Sequence, residues 1–164
     1  MIAMNPKIQE LFDRIDQKKN LALAKSDDLY KALSNLQYEG KVSLGRNIKE
    51  IAHVMKFFNS ELPEHIKIDE EAVFPFLLTH VPKLDPMIRF LSAEHNELRT
   101  KLKTFKSLLD SVQHEQKVSS DQKDIVRLHD EGTYLFCLIR NHFQAETAGV
   151  YQVMDRELTE IEKI

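Results

Sequence analysis

Two segments of the sequence place a histidine four residues before a carboxylate. His65 precedes Asp69, and His142 precedes Glu146. On an α-helix, residues four apart project from the same face with Cβ atoms about 5–6 Å apart. Each pair can therefore offer a nitrogen and an oxygen to one cation or to two adjacent ones. Because Cys137 is the only cysteine, clusters of thiolate ligands are excluded, and imidazole with carboxylate suits iron, manganese or zinc.

A third histidine interrupts an apolar helical stripe. His95 stands among apolar residues at three- and four-residue spacing, namely Ile88, Leu91, Leu98, Leu102, Phe105 and Leu109. At about 1.5 Å per residue from the flanking loops, Asp69 and His95 come level, and His142 lies within about 5 Å of that height. No Lys or Arg lies on these stripes, so a cation is the simplest compensation for the buried acids. The alternative is a metal-free network of buried hydrogen bonds.

Prolines, N-caps and apolar periodicity mark the helices that must position these side chains. Only four glycines and no tryptophan occur in 164 residues, which disfavours a turn-rich sandwich or barrel. Helix starts are predicted at Asn5-Pro6, Ser26, Asn47, Asp85-Pro86 and Ser119. We expect the first helix to fade near Asn20, and Pro63 and Pro75 to kink or shorten the helix that carries His65. The prediction is an all-α fold, an up-down-up-down four-helix bundle at 26–160 with an additional N-terminal helix or helical extension at 1–25.

Charge and hydropathy exclude further classes of protein. The 23 basic and 26 acidic residues give a formal net charge of −3, which leaves no basic footprint for a nucleic-acid backbone. The apolar runs are far shorter than the roughly 20 residues that span a bilayer. We expect a cytoplasmic protein, monomeric or homodimeric, that binds neither nucleic acid nor membrane, and whose signalling partner, if it has one, is unknown. A zinc protease is excluded because HExxH is missing, and the ferritin-like E-x-x-H occurs only once, at Glu50–His53.

These segments resemble the hemerythrin-like family with the HHE cation-binding domain. The segment His65–Pro75 is similar to the family's H-x-x-x-E-E…F-P helix, Ala93–Leu98 to its E-H helix, and His142–Glu146 to its last H-x-x-x-E. The likeness covers about Ser26 to Met154. It implies a four-helix bundle around a non-haem di-iron centre, bridged by carboxylates and an oxo or hydroxo group, with other divalent metals as alternatives to iron.

The resemblance also implies particular metal ligands. The terminal nitrogen ligands would be His65, His95 and His142, and the bridging carboxylates would be Asp69 and Glu146. Asp69 replaces the family's usual glutamate, which makes Glu70 an alternative, although Glu70 is rotated about 140° from His65 on a regular helix. Asp28 stands where the family's first-helix histidine is expected. Its other interpretation is an ordinary acidic residue in the first turn of a helix.

The function implied by the resemblance is binding or sensing of O2 or a related small ligand such as NO or peroxide. The chain fits a metal- and oxygen-binding protein better than an enzyme. The first alternative is a stress-repair, iron-handling or peroxide-consuming activity at the same site, because the double H-x-x-x-[DE] arrangement resembles the repair-type members. The second is a metal-free helical interaction module. The missing first-helix histidine weakens the case for reversible oxygen carriage.

Overall fold

The computed structural model describes residues 6–39, 41–115, 122–153 and 156. Within these ranges it contains five α-helices and no strand: α1 (Pro6–Tyr38), α2 (Leu44–Ile68), α3 (Phe74–His80), α4 (Asp85–Glu115) and α5 (Gln122–Glu146). Short 3-10 turns at Lys41–Ser43 and Pro82–Leu84 precede α2 and α4. The predicted all-α class is confirmed.

Two π-helical turns interrupt the regular helices. The first π-turn, Asp69–Val73, joins α2 to α3 without a break, and the second π-turn, Thr147–Tyr151, continues α5. Pro75 has no N–H and its ring would clash with the carbonyl four residues earlier in a regular helix, which explains a wider turn at that point. With α2 and α3 read as one interrupted helix, four long helices pack as a bundle, in which α1 contacts α2 and α5, and α4 contacts the same two helices.

The N-terminal part of the chain differs from its prediction. Helix α1 is continuous from Pro6 to Tyr38, so it does not fade near Asn20, and the predicted boundary between residues 25 and 26 falls inside it. The hydroxyl of Ser26 bonds to the carbonyl of Leu23 at 2.6 Å. The supposed N-cap is therefore an interior residue that donates back along its own helix.

Other boundaries lie at or near their predicted positions, and α2 begins at Leu44, three residues before the predicted start at Asn47. Helix α4 begins at Asp85 as predicted, and α5 begins at Gln122, while the predicted cap at Ser119 lies outside the described residues. Pro63 lies inside α2, which continues past it to Ile68. No helix among the described residues has the length and apolar character needed to cross a membrane.

The buried apolar residues form two clusters at different heights in the bundle. The larger cluster includes Ala22, Ile66, Leu98 and Phe143, and the smaller one includes Ile15, Val73, Leu91 and Val150. On every long helix, the segment between the two clusters carries a buried polar side chain. This level of the bundle is where the candidate site lies.

Candidate metal centre

Five buried histidine and acidic side chains lie at the level between the two apolar clusters. We call them the polar layer: His65, Asp69, His95, His142 and Glu146. His65 is 6% exposed and the other four are fully buried. Helices α2, α4 and α5 and the first π-turn thus bring together the five residues that the sequence predicted for one layer. Their role as metal ligands stays a prediction.

The imidazole Nε2 atoms of the layer point at the carboxylates. His65 Nε2 lies 3.0 Å from Asp69 Oδ2 and 3.0 Å from Glu146 Oε2. His95 Nε2 lies 3.4 Å from Asp69 Oδ2, and His142 Nε2 lies 3.2 Å from Glu146 Oε2. One ligand atom each from His65, Asp69, His142 and Glu146 lie within 4.8 Å of one another. This cluster has the dimensions and donor types of a metal site.

Two glutamates outside the layer contact the Nδ1 atoms of two of its histidines. Glu70 Oε1 lies 3.2 Å from His95 Nδ1, and Glu94 Oε1 lies 3.1 Å from His142 Nδ1. Because an ionised carboxylate only accepts hydrogen bonds, each Nδ1 carries a hydrogen, which leaves Nε2 as the nitrogen that can bind a metal when it carries no proton. Carboxylates in this position orient metal-binding imidazoles and make them stronger ligands. Glu70 is thus placed behind a histidine and not inside the layer.

The surroundings of the Asp69 carboxylate indicate whether the layer fits a cation. Both of its carboxylate oxygens are buried, and neither makes a hydrogen bond of normal geometry among the described residues, although Oδ2 lies close to two imidazole nitrogens. A buried, unsatisfied carboxylate costs several kcal/mol or more unless an opposite charge compensates it. Three imidazole nitrogens and two carboxylates form a donor set suited to iron, manganese or zinc. The residues present therefore fit a bound metal.

The electrostatics of the layer place protons where a cation would bind. Burial alone would lower the pKa of His65, but the carboxylates of Asp69 and Glu146 beside its Nε2 outweigh it and raise that pKa to about 10. Burial likewise opposes the charged form of His142, whose pKa is nevertheless raised to about 9 by Glu146 and Glu94. Metal binding must therefore displace protons.

The two acids of the layer differ from each other. Burial and the neighbouring Glu146 carboxylate raise the pKa of Asp69. Burial also opposes ionisation of Glu146, but hydrogen bonds from His142 and His65 hold its pKa well below the usual range. In the metal-free protein Glu146 therefore carries the more stable negative charge of the two.

Each π-turn adjoins a carboxylate of the layer. Asp69 is the first residue of the first π-turn, and Glu146 immediately precedes the second. In a π-turn the backbone bonds run between residues five apart, and Tyr151, five residues after Glu146, donates its hydroxyl to Glu146 Oε1 at 3.3 Å. Gly149 allows this turn to pack closely, because a Cβ there would come within 2.6 Å of Met87 Cε.

Helix α1 contributes a lysine to this level in place of a histidine. Lys19 is buried, pairs with Asp16 Oδ1 at 2.8 Å, and holds its ammonium 5.9 Å from the centre of the Tyr151 ring. Asp28 is exposed and lies about 13 Å further along the helix. The expectation that Asp28 reaches the layer is therefore wrong for this structure.

A small cavity reaches the layer beside His65. It measures about 10 Å³, and its walls include Ala22, Phe57, Phe58 and Phe143. This volume holds about one water-sized molecule. On its outer side Lys18 and Glu61 form an ion pair at 3.5 Å.

Sequence reasoning missed the roles of Glu94 and Lys19 and did not identify Glu146 as the partner of Tyr151. Glu94 directly precedes His95, but its partner is His142 on another helix, and no spacing along the chain reports that contact. Tyr151 reaches Glu146 through a π-turn, which has no signature in a helical period. Lys19 could have been found from the periodicity Phe12, Ile15, Lys19, Ala22, had α1 been read as one helix.

Comparison with known proteins gives one match. The family model of the hemerythrin HHE cation-binding domain matches residues 7–154, which includes most of α1 as well as the three helices of the polar layer. No curated protein and no solved structure gives a significant match. Since the matched region covers most of the chain and contains the whole histidine and carboxylate cluster, this protein belongs to the hemerythrin family of HHE cation-binding domains.

Proposed function

We propose that this chain holds two iron ions in the polar layer and binds a small ligand such as O2 or NO beside them. The observation that carries the proposal is the position of the two carboxylates. Asp69 Oδ2 lies between His65 and His95, and Glu146 Oε2 lies between His65 and His142. Each acid is thus flanked by imidazoles on two sides, as a carboxylate that bridges two metal ions would be.

The cavity beside His65 supports the small-ligand part of the proposal. Its walls include three aromatic rings, and its volume of about 10 Å³ corresponds to about one molecule of the size of water, which is the scale of a small ligand and far below that of an organic substrate. Bound iron would supply a redox-active centre with a position free for such a ligand. The chain itself would orient the imidazoles through Glu70 and Glu94 and hold Glu146 through the Tyr151 hydroxyl.

The test starts from untagged full-length protein reconstituted anaerobically with ferrous iron. We expect two iron ions per chain and an optical spectrum that changes on addition of O2 or NO. Less than one iron per chain, with metal-independent melting, would favour the metal-free helical module. His53→Ala is the matched control for histidine loss, because His53 is exposed.

The same experiment separates binding from turnover. A spectral change that reverses when O2 is removed supports a binding or sensing role. Consumption of NO or peroxide over many cycles supports the stress-repair or peroxide-consuming alternative. That alternative is favoured by one specific observation: α1 places Lys19, not a histidine, at the level of the layer.

A further inference from the structure

We infer that the two cation positions of the layer bind with unequal strength: a cation beside His95 and His142 is retained, whereas a cation beside His65 exchanges readily. This inference rests on the proposed two-iron function and adds a difference in affinity between the two metal positions. It follows from the distances between the three imidazole rings, from the carboxylates that contact their Nδ1 atoms, and from the side chains of α1 near the layer.

The imidazoles group as a pair and a single ring. The Nε2 atoms of His95 and His142 lie 3.2 Å apart, with ring centres 4.8 Å apart. The ring of His65 is 6.5 Å and 6.1 Å from those two rings. Two nitrogens that bind one cation at about 2.1 Å each lie about 3.0–3.4 Å apart for bond angles near 90–109°. The separation of His95 and His142 therefore suits two ligands of the same ion.

The two paired histidines are also the ones whose Nδ1 atoms contact a glutamate carboxylate. Glu70 backs the Nδ1 of His95, and Glu94 backs the Nδ1 of His142. In the part of the chain that the structure describes, the ion-pair contacts of His65 run through Nε2 alone, to Asp69 and Glu146. Loss of such an outer carboxylate typically costs about 10–100-fold in metal affinity, so the His65 position lacks a source of affinity that the other position has twice.

Helix α1 does not supply the metal ligands that the His65 position lacks. On α1, Ala22 and Lys18 line the small cavity beside His65, and Lys19 lies at the level of the layer with its ammonium paired with Asp16. The alanine side chain has no donor atom, and a lysine ammonium has no lone pair to offer a metal. A cation at this position would hold one imidazole and its share of two bridging carboxylates.

Release of cobalt to a chelator tests the inference. Metal-free full-length protein is loaded anaerobically with Co²⁺, the bound cobalt per chain is counted, and EDTA is added while the visible absorption of cobalt is followed. We expect two bound ions that leave in two phases of equal amplitude, with rates at least tenfold apart. Lys19→His, which adds an imidazole on α1, should slow the fast phase, and Glu94→Gln should speed the slow phase.

The outcomes separate this inference from the proposed function. Two bound ions that leave in a single phase, in wild type and in both variants, would overturn the inequality and leave the two-metal function intact. One bound ion or none at saturating Co²⁺ would overturn the two-metal function itself. Circular dichroism of Glu94→Gln before loading shows whether the variant is folded, and the wild-type release curve decides the question even if it is not.

Discussion

The Nε2 atoms of His95 and His142 face each other at 3.2 Å, and both side chains are fully buried. Because the Nδ1 of each ring lies against a glutamate, two neutral imidazoles would direct their lone pairs at one another. Only a shared proton or a cation turns this contact from repulsive to attractive. The sequence therefore maintains an arrangement that is stable when something positive lies between these rings.

Replacement of one of these rings tests that requirement. His95→Ala should abolish most of the stabilisation that metal gives to the fold, with a loss of affinity beyond the about 10–100-fold typical of an outer-shell residue. A metal at 100 times its dissociation constant stabilises a protein by about 2.7 kcal/mol. Thermal unfolding with and without Fe²⁺ measures this difference directly. In His53→Ala, an exposed site, the metal-induced shift should be the same as in wild type.

The pH dependence of the metal-free fold follows from the raised histidine pKa values. His65 and His142 have pKa values of about 10 and about 9 in the folded chain, above the ordinary 6.5. A raised pKa means that the proton stabilises the fold, so this contribution is complete below about pH 6.5 and is lost as the pH rises through about 9–10. The free energy of unfolding should fall between pH 7 and 10.

The affinity for metal should rise with pH over the same pH range in which the metal-free fold loses stability. Because the ions must displace these protons, affinity rises with pH until both histidines are neutral. Denaturant unfolding of metal-free and metal-loaded protein at several pH values measures both trends. If metal-free stability were flat from pH 7 to 10, the two histidines would not be protonated in the folded state.

The outer carboxylates can be tested with neighbouring glutamates. Glu70→Gln keeps the side-chain size but weakens the acceptor behind His95, and should reduce metal affinity by about 10–100-fold. Glu71 is exposed, so Glu71→Gln is the matched control and should bind metal as wild type does. Isothermal titration with Co²⁺ compares the two. Equal affinities would show that the contact between Glu70 and His95 does not influence the metal.

Tyr151 should act on the metal through Glu146. Tyr151→Phe removes the hydroxyl that donates to Glu146 Oε1, which should cost about 0.5–1.5 kcal/mol of metal-free stability and lower metal affinity about tenfold. Tyr134 also donates to a glutamate, Glu97, but it is half-exposed and lies about 12 Å along α5 from His142. Tyr134→Phe should leave metal affinity unchanged, and a drop of the same size in both variants would contradict a specific role for Tyr151.

Much of this site was predictable because helices convert sequence spacing into position. A rise of about 1.5 Å per residue was enough to bring His65, His95 and His142 level and to place Asp69 and Glu146 beside them. The position of Asp28 was predicted wrongly because Ser26 was interpreted as an N-cap. In the structure Ser26 is inside α1 and bonds to Leu23, so the layer meets that helix at Lys19.

Other features were not predictable from spacing because they depend on packing between helices. The contact of Glu94 with His142 joins α4 to α5, and the contact of Tyr151 with Glu146 needs a π-turn. A π-turn adds one residue to a helix without altering its apolar pattern enough to be recognised. These interactions determine the chemistry of the ligands, whereas the helical period determines only where the ligands are.

The cavity beside His65 gives the last prediction. Ala22→Val adds two methyl groups to a wall of a space of about 10 Å³, so it should close the space at a cost of about 1–3 kcal/mol. Because Ala22 donates nothing to the polar layer, iron content should stay the same. Association of NO or azide with the iron-loaded protein, followed by stopped-flow absorption, should become at least tenfold slower.

Ala24→Val places the same side chain at an exposed position of the same helix and controls for the lower helix propensity of valine. Unchanged association rates in Ala22→Val would mean that small ligands reach the centre by another route.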